Sequence, residues 1–330
     1  MKAIRLHEFG PAENLRLEEV PDPVPAEGQV RIRVRAAGVH LLDTMLRKGI
    51  EGGPLPPQQL PAIPGREVAG AVDALGEGVD PSWLGRRVVA HLGAASAGYA
   101  ELAVANVQSL HGIPDGLDEA SAVAMIGTGR TVMGVLDEAA ATPEDVVLVT
   151  SAAGGMGSLF VQALRNLGAT VVAVAGGPEK VARVKELGAE VVADYNQADW
   201  DEQVRAELGS RSVTLVLDGV GGEPGRKALG LLGFGGRIVM FGWSAGAPTQ
   251  LGTEDLVAKA LTVSWGLGPR MRKPGVVREL ETRSMAEAAA GRLVPLTTRF
   301  PLAEAARAHT ALENRGTVGK AVLVVSGQTA

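Results

Sequence analysis

The sequence predicts an α/β protein made of a β-rich domain and a doubly wound domain with a six-strand parallel sheet, and three observations carry that expectation. With 330 residues, 46% of them hydrophobic, the chain can bury two domain-sized cores. Up to about residue 120, short β-branched runs such as QVRIRVRAAGV, EVAGAVDAL and GRRVVAHL alternate with Pro/Gly turns such as PDPVPAEG. From about residue 145 the rhythm changes to apolar strand, turn and amphipathic helix.

In order along the second half, VVLVT, TVVAVA, AEVVAD, VTLVLDGV, GRIVMFG and LTVSWG are strand-like, with helical stretches between most of them. Helical crossovers between strands imply a parallel sheet covered on both faces. The tail, GVVRELETRSMAEAAAGRLV and then AEAARAHTALENRGTVGKAVLVV, predicts two helices and a final strand that return to the first domain. The expected divisions are 1–121, 122–266 and 267–330.

Composition removes several classes of function. Lys and Arg number 32 against 37 Asp and Glu, and no basic run is long enough for a nucleic-acid patch. The stretch MKAIRLHEFG has no apolar signal core and no run approaches a membrane span, so the expectation is a soluble, cytoplasmic protein without membrane or nucleic-acid partners. With no cysteine, disulfides, thiolate zinc ligands and a cysteine nucleophile are excluded.

The stretch SAAGGMG follows VVLVT and opens a helix. Ala152-Ala153-Gly154-Gly155-Met156-Gly157 is the G-x-G-x-x-G arrangement with Ala at the first position. Gly154 lets the backbone approach a pyrophosphate, Gly157 lets helix and strand pack closely, and the helix N-terminus offers free N–H groups to the anion. Its place after the first of six strands predicts dinucleotide binding. An NAD-selective site usually has Asp or Glu about 20 residues further on, at the ribose 2′-hydroxyl. Here Ala175, Gly176 and Gly177 stand there, with Lys180 and Arg183 nearby, so NADPH is expected over NADH. The alternative for Lys180 and Arg183 is a solvated helix face.

The segments AAGVHLLDTMLRKG, PAIPGREVAGAV, GRTVMGVL, SAAGGMGSLFVQALRNLGA, LDGVGG, GGRIVMFGWSAG and GTVGKAVLVV together resemble, in order, the zinc-free medium-chain dehydrogenases/reductases, most closely the quinone oxidoreductase (zeta-crystallin-like) branch. The resemblance implies a GroES-like catalytic domain, a Rossmann domain for NADPH, and a cleft between them where hydride passes to a quinone or an α,β-unsaturated carbonyl. It also implies a homodimer. By motif, its cofactor contacts fall on Thr131, Ala152, Gly154, Gly155, Met156 and Gly157, and on Gly176, Lys180 and Tyr195 around the 2′-phosphate and adenosine. Near the nicotinamide they fall on Val220, Phe241, Gly242 and Ser244, with Arg315 and Lys320 from the C-terminal segment.

Zinc enzymes of the superfamily carry Cys after GV and His in GHE, where this chain has Gly38-Val39-His40 and Gly65-Arg66-Glu67. No metal is therefore expected, and Glu67 is expected to pair with an arginine. The substrate pocket is expected around His40, Asp43 and Met45. His40 is a candidate proton donor or substrate-orienting group, with a purely structural histidine as the alternative; Asp43 is expected as a turn or cap residue. Without zinc to polarise a carbonyl, a small electron-poor conjugated acceptor suits the site. Two alternatives remain open. One is an enoyl-thioester or 2-alkenal reductase, whose approach Arg47, Lys48, Arg270, Arg272 and Lys273 would line, with a surface solubility role as the stronger reading of those residues. The other is an NADPH-binding sensor or structural protein without turnover.

Overall fold

The computed structural model describes residues 1–50, 59–273 and 275–325, and of Arg270 and Arg272 the backbone alone. The first stretch forms β1 (Lys2–Leu6), β2 (Leu15–Glu19), β3 (Gln29–Val39), α1 (Leu41–Arg47), β4 (Glu67–Leu75), β5 (Arg87–His91), β6 (Leu102–Asn106), β7 (Leu110–Gly112) and α2 (Glu119–Ala124). Next come α3 (Arg130–Ala139), β8 (Val146–Val149), α4 (Gly155–Leu167), β9 (Thr170–Ala175), α5 (Pro178–Glu186), β10 (Val191–Asp194), α6 (Trp200–Leu208) and β11 (Val213–Asp218). They are followed by α7 (Gly222–Leu231), β12 (Leu232–Met240), α8 (Thr253–Lys259), β13 (Thr262–Trp265) and α9 (Val276–Ala289). The chain closes with β14 (Thr297–Pro301), α10 (Ala305–Glu313) and β15 (Lys320–Val324).

Two compact units result: Met1–Gly127 with the chain from Leu296 onward, and Thr128–Pro295. In the first, β14, β15, β3, β4, β5 and β7 lie side by side, and β6 also pairs with β3. Along β3, Val30, Ile32 and Val34 are buried in alternation, the period-2 pattern of a strand with one face in the core. Register shifts in the β3–β4 pairing, at Arg31/Ile32 and Val34/Ala36, bend the strand, so that its first half pairs with β6 and its second with β15. Strand β14, TTRFP, has no counterpart among the sequence expectations. It has one large apolar residue and a proline, and its parallel pairing with β15 comes from distant chain.

The second unit is a parallel sheet in the order β10-β9-β8-β11-β12-β13. Numbered by their own sequence, the strands run 3-2-1-4-5-6, and the direction of winding reverses beside β8. All four residues of β8 are buried, as expected where helices cover both faces. All six predicted strands are present.

The junctions differ from those read off the sequence. They fall at 127/128 and 295/296 instead of 121/122 and 266/267, and α9 belongs to the second unit. Helix α9 is held on α3: Arg283 makes two hydrogen bonds to Asp137, at 2.7 and 3.0 Å, and Arg130 reaches Glu281 at 3.1 Å. Such contacts between helices far apart in sequence leave no local signal. Among the described residues, no helix is long and apolar enough to cross a membrane.

Leu148 has no exposed surface, at the centre of the parallel sheet. Leu148→Ala is expected to lower the unfolding free energy by about 2–5 kcal/mol, read by urea titration, because a core that cannot collapse keeps the cavity.

Candidate active site

Three loops gather at the carboxyl ends of the central strands of the second unit. After β8, the chain turns through Ser151 and Gly154 into α4, with Gly154 as the residue that caps the helix. A Cβ on Gly157 would stand 2.2 Å from the Ser151 carbonyl oxygen and 2.7 Å from Ala152 Cα. Only glycine fits there, and its absence of a side chain lets α4 begin against the strand with its N–H groups open. Ala152 is buried, while Gly155 and Met156 form the first turn of α4.

After β9, Gly176 faces the Tyr195 ring: a Cβ on Gly176 would lie 2.5 Å from the phenolic oxygen. Both residues were singled out from sequence, and the fold brings them together. Lys180 lies on α5 beside this turn, but Arg183 is drawn to Glu186 at 2.6 Å, an exposed pair one helical turn apart. A carboxylate missed in the sequence reading also stands here. Asp194, at the end of β10, accepts the backbone N–H groups of Gly177 and Asn196, both at 2.9 Å. It holds the two turns together across neighbouring strands.

The loop after β11 is organised by Asp218, fully buried and also missed. Its Oδ1 accepts from Thr150 Oγ1 at 2.9 Å and from the Val220 and Gly221 N–H groups at 2.9 and 3.1 Å, and Thr249 donates to Oδ2 at 2.5 Å. This fixes Val220. Phe241 lies against Gly219 and packs on Phe160 with ring centres 5.3 Å apart. The Ser244 N–H donates to the Gly219 carbonyl at 3.2 Å, which ties the loops after β11 and β12 together around Gly242. Thr131 sits in the first turn of α3.

The first unit holds a different kind of site. Glu67 opens β4 with no exposed surface. His40 Nε2 lies 2.7 Å from its Oε1, Lys320 Nζ lies 2.9 Å from its Oε2, and Nζ and Nε2 are 2.7 Å apart. His91 of β5 is directly opposite Glu67 in the strand register. Side chains on Gly38 and Gly127 would lie 2.1 and 1.7 Å from the two carboxylate oxygens, so the pocket closes tightly around the charge. Burial pushes the Glu67 carboxyl up, but His40 and Lys320 outweigh it and hold the group well below the usual carboxylate range. Burial likewise pulls the Lys320 ammonium down, an effect that Glu67 only partly offsets.

The expected Glu67–arginine pair is not formed. Arg66 instead reaches Asp43, Nη2 to Oδ1 at 3.3 Å. Arg66, at the bend before β4, and Glu67, the first residue of the strand, thus serve different clusters. Asp43 is a cap residue, as expected, accepting from the His40 N–H at 2.8 Å, and it is 3% exposed, which removes it from any open pocket wall. Tyr99 donates to Asp43 Oδ2 at 3.1 Å and contacts His309 Nε2 at 3.2 Å; neither Tyr99 nor His309 has exposed surface. Met45 is half-buried on α1. Of the two C-terminal residues expected at the cofactor, Lys320 is 5% exposed and committed to Glu67, and Arg315 lies on the surface after α10. Arg47, a candidate for a groove lining or a solubilising surface residue, is buried and paired with Glu313; Lys48 joins Glu313 at 2.8 Å. The side chains of Arg270 and Arg272 lie outside the described residues.

A glycine turn at the switch point of a doubly wound sheet, joined in one chain to a β domain with a buried titratable cluster, defines a nucleotide-dependent oxidoreductase. Residues 26–152 match the alcohol dehydrogenase GroES-like domain, and residues 155–282 match the zinc-binding dehydrogenase model. Quinone oxidoreductase of Sus scrofa is 30% identical, with 98% of each chain covered, and 2-haloacrylate reductase of a Burkholderia species is 31% identical, with 97% of each covered. The crystal structure of Escherichia coli quinone oxidoreductase complexed with NADPH superposes with a TM-score of 0.85 at 29% identity, covering 98% of this chain and all of that one. The chain belongs to the medium-chain dehydrogenase/reductase superfamily, in its quinone oxidoreductase branch.

Burial pushes His309 down from 6.5 to about 4. The unfolded chain therefore takes up a proton before the folded one, and the stability that His309 contributes above its unfolded value is lost as pH falls from 6.5 toward 4. Urea unfolding is expected to show a loss of up to about 3 kcal/mol across this window, absent in His309→Leu.

Proposed function

We propose that the protein is an NADPH-dependent reductase that passes hydride to a quinone or another α,β-unsaturated carbonyl acceptor without a metal. The observation that carries the reading is the Lys320 ammonium, which sits 2.7 Å from His40 Nε2 and 2.9 Å from Glu67 Oε2, in the place a cation bridging those ligands would take. The residues do not fit zinc. Arg66, where a ligand histidine would stand, is paired with Asp43, and no three His, Cys, Asp or Glu side chains among the described residues form a metal-holding group. The glycine turn fits a dinucleotide: the Gly157 cradle leaves α4 open to a pyrophosphate, and the end of β9 carries Gly176 and Gly177 in place of an acid.

NADPH, when bound, supplies the hydride. Gly154, Gly155, Met156 and Gly157 would hold its pyrophosphate, Gly176, Lys180 and Tyr195 its 2′-phosphate and adenosine, and Thr131, Val220, Phe241, Gly242 and Ser244 its nicotinamide ribose end. His40, a quarter exposed, orients the acceptor and gives it a proton. Conjugation spreads the charge that hydride addition creates, which replaces part of what a Lewis acid would do. The buried, paired Arg47 counts against the alternative of a thioester with a long anionic arm. A homodimer through the open edge strand β13 suits the exposed Trp243, Val257 and Trp265 there.

The test is NADPH oxidation at 340 nm with 1,4-benzoquinone, cyclohex-2-en-1-one and a crotonyl thioester after metal stripping, with NADH in parallel. Turnover of the first two, faster with NADPH, is expected; tight binding with no turnover of any acceptor would establish the sensor reading instead. Gly157→Ala is expected to weaken NADPH binding at least tenfold, about 1.4 kcal/mol or more, in a fluorescence titration, because the turn must open to admit the methyl group.

A further inference from the structure

We propose that His40 and Lys320 hold one relayed proton between them above the Glu67 carboxylate, and that Lys320 recharges His40 after it protonates the reduced acceptor; this rests on the reductase reading above. Two nitrogens 2.7 Å apart need a proton between them, one donating and the other accepting. With the proton on Lys320, the ammonium donates to a neutral imidazole at Nε2. With the proton on His40, Nε2–H turns to Glu67 Oε1, 2.7 Å away. Either arrangement keeps one positive charge beside the carboxylate, so passing the proton from Lys320 to His40 leaves the net charge of the buried cluster unchanged, and the charge falls by one only between protonation of the acceptor and the return of a solvent proton.

The surroundings favour the exchange. Burial lowers the Lys320 ammonium below its ordinary value, which makes it readier to give up a proton, and Glu67 offsets this only in part. Of the other charged groups, His91 faces Glu67 from β5, while Asp43 and Arg66 pair with each other and largely cancel. Lys320 and Glu67 are shut off from solvent, and His40 is the member with an exposed side, at 25%. Of these three groups, the His40 imidazole is the one that opens outward. This makes Lys320 a positioning and proton-storing residue acting through His40.

Hydride brings its electron pair to the β-carbon of the acceptor and NADPH becomes NADP+, which leaves an enolate. The His40 Nδ1–H bond breaks as the enolate gains its C–H or O–H bond. An ammonium N–H of Lys320 breaks as Nε2–H forms, which leaves Lys320 a neutral amine, and the ammonium is later restored when a solvent proton binds His40 Nδ1 and the Nε2 proton passes back to Nζ.

The test compares wild type with Lys320→Met in two measurements: the pH profile of kcat for NADPH with cyclohex-2-en-1-one, and the His40 ring protonation followed by NMR. In a coupled pair the last proton leaves at higher pH than it would from one group alone, while a neighbouring cation suppresses double protonation. The variant is therefore expected to lose activity on the alkaline side about one pH unit or more earlier than wild type, yet to carry a more protonated His40 ring at pH 7. A lysine acting only as a neighbouring cation would, once removed, also leave the ring more protonated but would move the alkaline limb to higher pH with it; that result, or an unmoved limb, overturns the proposal. If the variant does not fold, wild type still decides: 15N signals of the Lys320 amine and the His40 ring must change together in one titration step, and a silent ring overturns the proposal. Joint titration with no turnover of either cyclohex-2-en-1-one or 1,4-benzoquinone would uphold the shared proton and overturn the reductase reading.

Discussion

A carboxylate with no exposed surface persists only where its charge is answered inside the same pocket. Glu67 meets this demand with His40 and Lys320, and the demand shapes the first unit around it. The three groups come from chain segments near residues 40, 67 and 320, which are brought together by β3, β4 and β15. Gly38 and Gly127 surrender their side chains to the two carboxylate oxygens. The C-terminal strand thus completes a site begun by the first seventy residues, and the fold must return to its starting sheet for the charge to be balanced.

A second buried cluster lies beside it. Asp43 is shared by Arg66, Tyr99 and the start of α1, and Tyr99 passes the network on to His309. Removing one member of such a network leaves the others buried without partners, which costs more than any single contact contributes. The network holds the backbone of His40 at the mouth of α1, so the one partly exposed group of the first cluster is positioned by the second.

The doubly wound unit applies the same economy to hydrogen bonds. Asp194 and Asp218 sit at strand ends and each accepts two backbone N–H groups, Asp218 from the turn that follows it and Asp194 from its own turn and the one after β9. Rigid turns at the switch point let a parallel sheet present loops of defined shape to a ligand. Neither carboxylate stood out in the sequence, because an aspartate after a strand looks like any other turn residue until its partners are known.

The six parallel strands, the glycine turn after the first of them and the absence of cysteine chemistry were all legible in the chain itself. Apolar runs at strand length, separated by amphipathic helices, leave one economical arrangement, and G-x-x-G beside a helix start is a local signal. What tertiary structure alone decided was partnership. Sequence pattern puts Glu67 with an arginine and α9 in the first domain, whereas the fold pairs Glu67 with Lys320, Arg66 with Asp43 and α9 with α3. The reason is physical: periodicity and turn chemistry act over a few residues, but a buried charge chooses its partner from whatever the packed strands bring within 3 Å or so.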